Sequence, residues 1–164
     1  MCSYGDMTID TRPWGSYDVP YLWRALYLSL HVRNGDSPFA LTVVDEPQIA
    51  HYLTGFGRSG DDAQVAIAQT GEETIGAAWC RRMSASDPGY GFVAEDVPEL
   101  GMAIEPTFRG QGIGRRLLVE LLARNPWMSL SVDRQNGSAH TLYVSLGFLV
   151  VGEDEISLTM LRSG

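Results

Sequence analysis

The stretch ELGMAIEPTFRGQGIGRRLLVELLAR, residues 99–124, decides the fold because it joins two different periodicities through a glycine-rich turn. Residues 99–105 form an apolar run that ends at Pro106, which predicts a buried strand. After the turn, apolar residues recur at helical spacing and predict an amphipathic helix. They are Ile113, Leu117, Leu118, Leu121 and Leu122. Between the two elements, residues 109–114 contain three glycines, which permit a tight turn with no Cβ atoms in the way.

This turn predicts an anion site. A strand, a glycine turn and a helix start leave several unpaired backbone N–H groups aimed at one point, at the positive end of the helix dipole. A phosphate group is the natural occupant of such a point. The same pattern is also compatible with a structural turn that binds no ligand.

Two familiar phosphate-binding patterns do not match. A P-loop requires Lys and then Ser or Thr after its last glycine, but Arg115 and Arg116 follow here. The dinucleotide fingerprint requires a wider glycine spacing. Asp133 does lie 21 residues after Gly112, where a ribose-binding acid would stand, but only 30 residues follow Arg134. These are too few for the remaining strands and helices of such a domain.

A second block follows at residues 128–148. MSLSVDR, residues 128–134, predicts a strand, and NGSAHTLYVSLGF, residues 136–148, predicts a short helix. Asn136 and Ser138 can both cap the start of that helix, and Gly147 favours a left-handed stop at its end. Without further context, Tyr143 would simply be a half-buried packing residue.

Taken together, the two blocks resemble the GNAT superfamily of acetyl-CoA-dependent N-acetyltransferases. They cover about a third of the chain, in the family's order and spacing. The matching positions are Arg109, Gly112 and Gly114 in the first block and Asn136, Ala139, Leu142, Tyr143, Gly147 and Phe148 in the second. The resemblance implies an α/β (α+β) fold with a central mixed, mostly antiparallel sheet of about seven strands, flanked by about four helices.

The resemblance also implies acetyl-CoA as the acetyl donor. Backbone groups of the strand would pair with the pantetheine arm as though it were an added strand, and one N–H group would polarise the thioester carbonyl. The glycine turn would hold the pyrophosphate, and Asn136 would contact the pantetheine. Arg115 could add charge to a phosphate or simply be an exposed helix arginine. The implied donor-binding residues are Met102, Ala103, Ile104, Arg109, Gly110, Gln111, Gly112, Ile113, Gly114, Arg115, Asn136, Ala139 and Tyr143.

Direct transfer to an amine requires a group that accepts the amine proton and benefits from an acid at the departing thiolate. By resemblance, Tyr143 is the general acid, and Glu99 withdraws the proton through a water molecule. A solvated carboxylate at the strand end is the alternative interpretation of Glu99, and Glu95 and Asp96 are other candidate bases. Glu105 should face away from its strand neighbours. Further along the chain, His140 is expected on a helix surface, and His31 and His51 have no motif context.

Composition limits the classes of protein that remain. The 164 residues, 45% of them hydrophobic, suit a single N-acetyltransferase domain over residues 1–164. The net charge of −8 argues against nucleic-acid binding and is compatible with a cationic acceptor. The start of the chain does not resemble a signal peptide, and no apolar run approaches the ~20 residues of a bilayer span. We therefore expect a cytoplasmic monomer or homodimer without a metal. Cys2 and Cys80 lack both a disulfide pattern and metal-ligand spacing.

The remaining elements follow from local patterns. We expect a first strand over residues 7–12, ended by Pro13, and a first helix over residues 18–32. A shorter helix over residues 47–53 would start at Asp45 as its N-cap. Hairpins are predicted from strands at residues 64–69 and 74–83, and at 148–151 and 156–161. Residues 84–98 form a loop long enough to be functional.

Two functions remain open at this stage. The first is transfer of an acetyl group from acetyl-CoA to a primary amine of a small molecule or peptide. The alternative is a catalytically silent acyl-CoA-binding or regulatory domain on the same fold. Tyr143 favours the enzyme, because a pure binding domain needs no acid at that position. A nicotinamide-dependent oxidoreductase is disfavoured by the glycine spacing.

Overall fold

The computed structural model describes residues 7–69 and 72–164. Within them, seven strands form one sheet in the order β1-β2-β3-β4-β5-β7-β6. The strands are β1 (Ile9–Pro13), β2 (Asp62–Ala68), β3 (Glu73–Arg81), β4 (Glu99–Ile104), β5 (Met128–Asp133), β6 (Leu149–Glu153) and β7 (Ser157–Arg162). Four α-helices accompany the sheet: α1 (Val19–Ser29), α2 (Pro47–Ala50), α3 (Ile113–Arg124) and α4 (Gly137–Ser145). The expected mixed sheet is confirmed: β4 and β5 run parallel, and every other neighbouring pair is antiparallel.

Several predicted boundaries differ from the observed ones. Strand β1 includes Pro13, which is tolerated because β1 lies at the sheet edge and a missing N–H there breaks no ladder. Helix α1 ends at Ser29, since Leu30 already has extended backbone angles. Asp45 is not an N-cap: it closes a 3₁₀ turn, and α2 starts after Glu46 with no side-chain cap. The turn of the predicted first hairpin includes Thr70 and Gly71, which lie outside the described residues.

The sheet has a hydrophobic core on each face. Helix α3 covers one face, where Leu117, Leu118 and Leu121 pack with Leu100 and Ile104 of β4. Helix α1 covers the other, where Leu22 and Ala25 pack with Ala103. Because side chains alternate along a strand, Glu99, Gly101 and Ala103 share the α1 face. In the part of the chain that is described, no helix is both long and apolar enough to cross a membrane.

The centre of the sheet opens between its two parallel strands. Strand β4 pairs with β3 along its whole length, from Arg81↔Glu99 to Gly76↔Ile104. With β5, in contrast, its register has the single pair Glu99↔Ser129. The two strands therefore diverge beyond Glu99, and the β5-facing edge of β4 has no strand partner there. We call this space between residues 100–104 and β5 the β4–β5 cleft.

Candidate active site

The glycine turn lies between β4 and α3, as predicted. Gly110 and Gly112 have φ angles of +77° and +78°, a region that other residues rarely adopt. A Cβ added at either glycine would meet nothing within 4 Å, so the space above the turn is open. Gly112 is the N-cap of α3 and offers no side-chain cap. The N–H groups of the first turn of α3 are therefore free to bind an anion.

Gly114 has a different role, because it lets α3 lie close to β4. A Cβ at this position would be 3.3 Å from the Met102 sulfur atom. Ile113, beside it, is buried in the α3 core, whereas Gln111 is exposed at the tip of the turn. Among the predicted donor-binding residues of this block, Gly110 and Gly112 therefore face open space, whereas Ile113 and Gly114 fix the position of α3.

The two arginines of the turn are both engaged by protein groups. The Nε of Arg109 donates to the Ile104 carbonyl oxygen at 3.0 Å, which holds the side chain at the end of β4. An Nη of Arg115 donates to the Ser145 hydroxyl at 2.6 Å and links α3 to α4. Arg115 is exposed, which agrees with the alternative that it is a helix-surface residue.

Backbone polarity along β4 assigns Met102 and Ile104 to the cleft. Glu105 donates its N–H to Ile75, next to β3, and the Pro98 carbonyl accepts the N–H of Ser129 in β5. Successive residues of a strand direct their backbone groups to opposite edges. The N–H and C=O groups of Met102 and Ile104 therefore point towards β5 and into the cleft. The N–H and C=O groups of Ala103 point to β3, and its side chain is buried beneath α1. Ala103 therefore presents neither its backbone polar groups nor its side chain to the cleft.

Helix α4 carries the second block and packs beside α3, where Leu142 lies near Gly114. Asn136 caps α4 as predicted, with its side-chain oxygen accepting the Ala139 N–H at 3.4 Å. Gly147 follows the helix with a φ angle of +93°, the expected left-handed stop. Ala139 packs against the α3-side core, and Asn136 is half-buried. In this structure the Asn136 side chain serves the helix, and its predicted contact with pantetheine stays a prediction.

Tyr143 is the buried residue of α4. It belongs to the α3-side core, and its ring lies 5.7 Å from the Phe148 ring. Burial raises the pKa of the Tyr143 phenol to about 12. The phenol therefore remains protonated at neutral pH, which suits a proton donor. Its hydroxyl makes no hydrogen bond with any residue in ranges 7–69 and 72–164.

Glu99 is buried on the opposite, α1-facing side, with only 2% of its surface exposed. One carboxylate oxygen, Oε1, accepts the Gly91 N–H at 2.8 Å and the Tyr52 hydroxyl at 3.3 Å. The other, Oε2, is buried and has no partner among the described residues. Burial raises the pKa of Glu99, even though these hydrogen bonds oppose the shift. The alternative of a solvated strand-end carboxylate is therefore wrong.

The other candidate acids differ sharply from Glu99. Glu95 and Asp96 are exposed on the loop, and Glu95 accepts the Ala85 N–H at 2.9 Å. Glu105 is bound by Arg24 and by the Tyr21 hydroxyl, and the Arg24 hydrogen bond lowers the pKa of Glu105. Glu99 is thus the buried carboxylate of this set with an oxygen left free.

The sequence analysis did not find several polar groups beside Glu99. Trp79 lies over Gly101 on the same face, and its indole N–H is buried without a partner. The hydroxyl of Ser129, the register partner of Glu99, is also buried without a partner among the described residues. The Nε2 of His51, in the turn after α2, is likewise buried without a partner among them. Such unpaired atoms are costly in a folded chain and tend to mark functional sites. No linear motif signals them, because three separate segments contribute.

A coenzyme A thioester fits this arrangement. The open space above the glycine turn and the free N–H groups of α3 suit a pyrophosphate. The unpaired edge of β4 suits an extended, amide-containing arm. Glu99 lies at the β4 end where the cleft begins, and Tyr143 belongs to the core on the α3 side of the sheet. Cys80 is buried, burial raises the pKa of its thiol to about 12, and it takes no part in the cleft. Cys2 lies outside the described residues.

Solved structures of known proteins share this fold over almost the whole chain. The protein ACIAD1637 of Acinetobacter baylyi matches with a TM-score of 0.71 and 14% identity, covering 99% of this chain and 95% of that one. The PaiA N-acetyltransferase of Thermoplasma acidophilum, solved with coenzyme A, matches with a TM-score of 0.65 and 17% identity, covering 96% and 100%. At these identities the likeness shows the fold.

Curated relatives match over shorter segments. The N-alpha-acetyltransferase RimI of Mycobacterium tuberculosis is 38% identical over 87 residues, 52% of this chain and 51% of RimI. The peptidyl-lysine N-acetyltransferase YjaB of Salmonella typhimurium is 40% identical over 53 residues, 32% of this chain and 37% of YjaB. The chain thus spans about half, or less, of the length of these relatives.

The family comparison covers both sequence blocks. The family model described as an acetyltransferase (GNAT) domain matches residues 61–150, more than half of the chain. This range includes β4, the glycine turn, α3, β5 and α4. The chain belongs to the GNAT acetyltransferase family.

Proposed function

We propose that this protein transfers an acetyl group from acetyl-CoA directly to a primary amine, with Glu99 as the base and Tyr143 as the acid. The observation that carries the proposal is the β4 edge left without a strand partner beyond Glu99, whose buried carboxylate stands where the β4–β5 cleft begins. A domain that only bound acyl-CoA would gain nothing from an unpaired carboxylate oxygen in its interior, since burying it costs free energy.

The residues have distinct tasks in this proposal. The free N–H groups of α3 hold the pyrophosphate, and the backbone of Met102 and Ile104 aligns the arm in the cleft. Glu99 Oε2 accepts a proton from the amine, directly or through one water molecule. Tyr143 donates its phenolic proton to the departing sulfur and is reprotonated by the second proton that the ammonium loses. Neither task requires a nucleophilic cysteine, and the raised pKa of Cys80 makes it unsuited to one.

The proposed acceptor is an amine of a peptide or protein. Support comes from RimI and YjaB, whose names specify an α-amine and a lysine side chain. The net charge of −8 and the exposed acids Asp87, Glu95 and Asp96 on the loop beside Glu99 would attract an ammonium group. A protonated amine then meets Glu99, which must be ionised to accept its proton.

The test is a transfer assay with acetyl-CoA and three acceptor sets: peptides with free N-termini, N-terminally blocked lysine peptides, and small polyamines. Thiol release and mass spectrometry of the acceptor would detect the product. Acetyl-CoA, but not NAD, should raise the melting temperature by mass action. Binding of acetyl-CoA without transfer to any amine would favour the silent binding domain instead.

A further inference from the structure

His51 has an unusual environment for a histidine without a sequence motif. Its Nδ1 lies 2.8 Å from an oxygen of Asp87, and its Nε2 is buried without a partner among the described residues. A carboxylate can only accept, so in this contact the imidazole carries its proton on Nδ1. The lone pair on the buried Nε2 is then free to accept a proton.

The imidazole is connected to Glu99 through Tyr52. The His51 and Tyr52 rings meet edge-to-face, with centroids 4.7 Å apart, and the Tyr52 hydroxyl donates to Glu99 at 3.3 Å. The same hydroxyl accepts the N–H of Tyr90 at 2.7 Å. Two unpaired atoms, Glu99 Oε2 and His51 Nε2, thus share one polar cluster.

The charged groups around this cluster can be named. Asp87 contacts the imidazole, the Tyr52 ring meets it edge-to-face, and the Tyr90 backbone N–H donates to the Tyr52 hydroxyl. From β3, Arg81 donates to the backbone carbonyls of His51 and Thr54. That arginine is itself paired with the buried Asp61. Arg81 therefore holds the backbone carbonyl of His51 in place, whereas the Asp87 side chain is 69% exposed to solvent.

The proposed reaction needs an outlet for a proton. An ammonium acceptor loses two protons when it becomes an amide, and the released thiolate takes up one of them. One proton per turnover must therefore leave the site. Glu99 is enclosed by Tyr52 and by the loop segment that contains Gly89 and Gly91, and it has almost no contact with solvent. A carboxylate in this position needs a second acceptor, and the candidate is His51, whose other ring nitrogen contacts the solvent-exposed Asp87.

We propose that His51, oriented by Asp87, takes the amine proton from Glu99 and holds it until the product leaves. This inference rests on the proposed function. The amine N–H bond breaks as an O–H bond forms at Glu99 Oε2. That O–H bond then breaks as an N–H bond forms at His51 Nε2, directly or through one water molecule. The resulting imidazolium is stabilised by Asp87, and it gives up one proton to water after the product leaves.

The test compares His51→Gln and Asp87→Asn with the wild type, with His31→Gln as the matched control. Each variant is assayed for acetylation over a pH series and over rising concentrations of imidazole buffer. We expect His51→Gln to lower kcat by about 10-fold or more, since a general-base step typically contributes at least that much. Imidazole should restore part of the loss, because a soluble base can then take the proton from Glu99. The wild type and His31→Gln should not respond to the buffer.

Asp87→Asn distinguishes a relay from a structural role. Without the carboxylate, the imidazolium is less stable, so Asp87→Asn should lower kcat in the same direction as His51→Gln, with little change in the Kd for acetyl-CoA. Wild-type kcat in both variants would overturn the relay. So would a loss of activity with a lowered melting temperature and no buffer response. If the wild type acetylates no acceptor, the proposed function itself fails. If the wild type is active and His51→Gln matches it, only the relay fails.

Discussion

Gly91 donates its backbone N–H to Glu99 Oε1 at 2.8 Å, and this bond connects the long loop to the first residue of β4. The loop can approach so closely because it carries glycine at this point. A Cβ on Gly91 would fall 2.4 Å from the Leu130 carbonyl carbon, and one on Gly89 would collide with the Glu99 carboxylate. The loop therefore covers Glu99: the Gly91 N–H holds Oε1, and Gly89 packs against Oε2.

Glu99→Gln should remove activity without unfolding the protein. Burial raises the pKa of Glu99, so the carboxylate becomes ionised at a higher pH than usual, and kcat/KM should fall as pH decreases through that raised value. In the variant this limb should disappear and kcat should fall by about 10²–10⁴-fold. A pH–rate series on one amine substrate measures both. Because free amine in solution shows a similar limb, wild type and variant must be compared on the same substrate.

The same substitution should not lower stability. An acid whose pKa is raised by folding binds its proton more tightly in the folded state, so stability decreases as pH rises through that pKa. Glutamine keeps an acceptor for Gly91 and Tyr52 but carries no charge. The melting temperature of Glu99→Gln at pH 8 should equal or exceed that of the wild type. Full activity in Glu99→Gln, with the loss found in Glu95→Gln instead, would move the base to the loop.

Tyr143→Phe should reduce kcat by about 10²–10⁴-fold while the Kd for acetyl-CoA stays nearly constant. The phenol is protonated over the working pH range because burial raises its pKa to about 12. Phenylalanine retains the ring that packs near Phe148. Isothermal titration with acetyl-CoA and single-turnover kinetics separate binding from chemistry. A Tyr143→Phe enzyme with wild-type kcat would exclude the acid assignment.

Gly112→Val should abolish most of the affinity for coenzyme A. A Cβ on Gly112 points into open space above the turn, where the pyrophosphate would lie. The φ angle of +78° also strains any side chain there, by about 1–2 kcal/mol or more for a branched residue. Gly35→Val is the matched control, since Gly35 has a φ of +89° and equally open surroundings. We expect similar melting temperatures for the two variants, measured by calorimetry.

The two glycine variants should differ only in their affinity for coenzyme A. Gly112→Val should bind coenzyme A about 100-fold more weakly or worse, a difference of about 2.7 kcal/mol, whereas Gly35→Val should bind normally. Near-normal affinity in folded Gly112→Val would mean that the turn is merely structural.

Local sequence signals predicted the parts of the site that one segment builds. The β4 strand, the glycine turn, α3 and the Asn136 cap all follow from patterns within a few residues, and the structure confirms them. The seven-stranded mixed sheet was expected from the resemblance and is also confirmed. The divergence of β4 from β5 has no local signature, because it depends on how two distant strands pair.

The acceptor side was less predictable for a physical reason. The loop over Glu99 has no periodicity, and its position depends on glycines that fit against β5 and against a carboxylate. Helix α2 has only four residues, and the turn that follows it carries His51 and Tyr52. Their partners, Asp87 and Glu99, lie 36 and 47 residues away in the chain. Such contacts arise from tertiary packing, so the sequence alone could not assign them.

Asp61→Ala should be the most destabilising of the substitutions discussed, because it removes one partner of a buried ion pair. Asp61 and Arg81 are 2% and 1% exposed, and two bonds of 2.7 and 3.0 Å join them. Asp61 also accepts the N–H groups of Gly57 and Arg58. Loss of the carboxylate would leave a buried guanidinium without its counter-charge, at a cost of about 3–5 kcal/mol.

The exposed pair of Arg134 and Glu153 provides the control. Their side chains are 39% and 65% exposed at a separation of 2.9 Å, so Glu153→Ala should cost about 1 kcal/mol or less. Urea unfolding of both variants measures the difference. Because Arg81 also binds the His51 and Thr54 carbonyls, Asp61→Ala should loosen that turn as well. Hydrogen exchange at residues 51–54 should then rise in Asp61→Ala and remain unchanged in Glu153→Ala. Equal unfolding free energies for the two variants would show that the buried pair contributes no more than a surface pair.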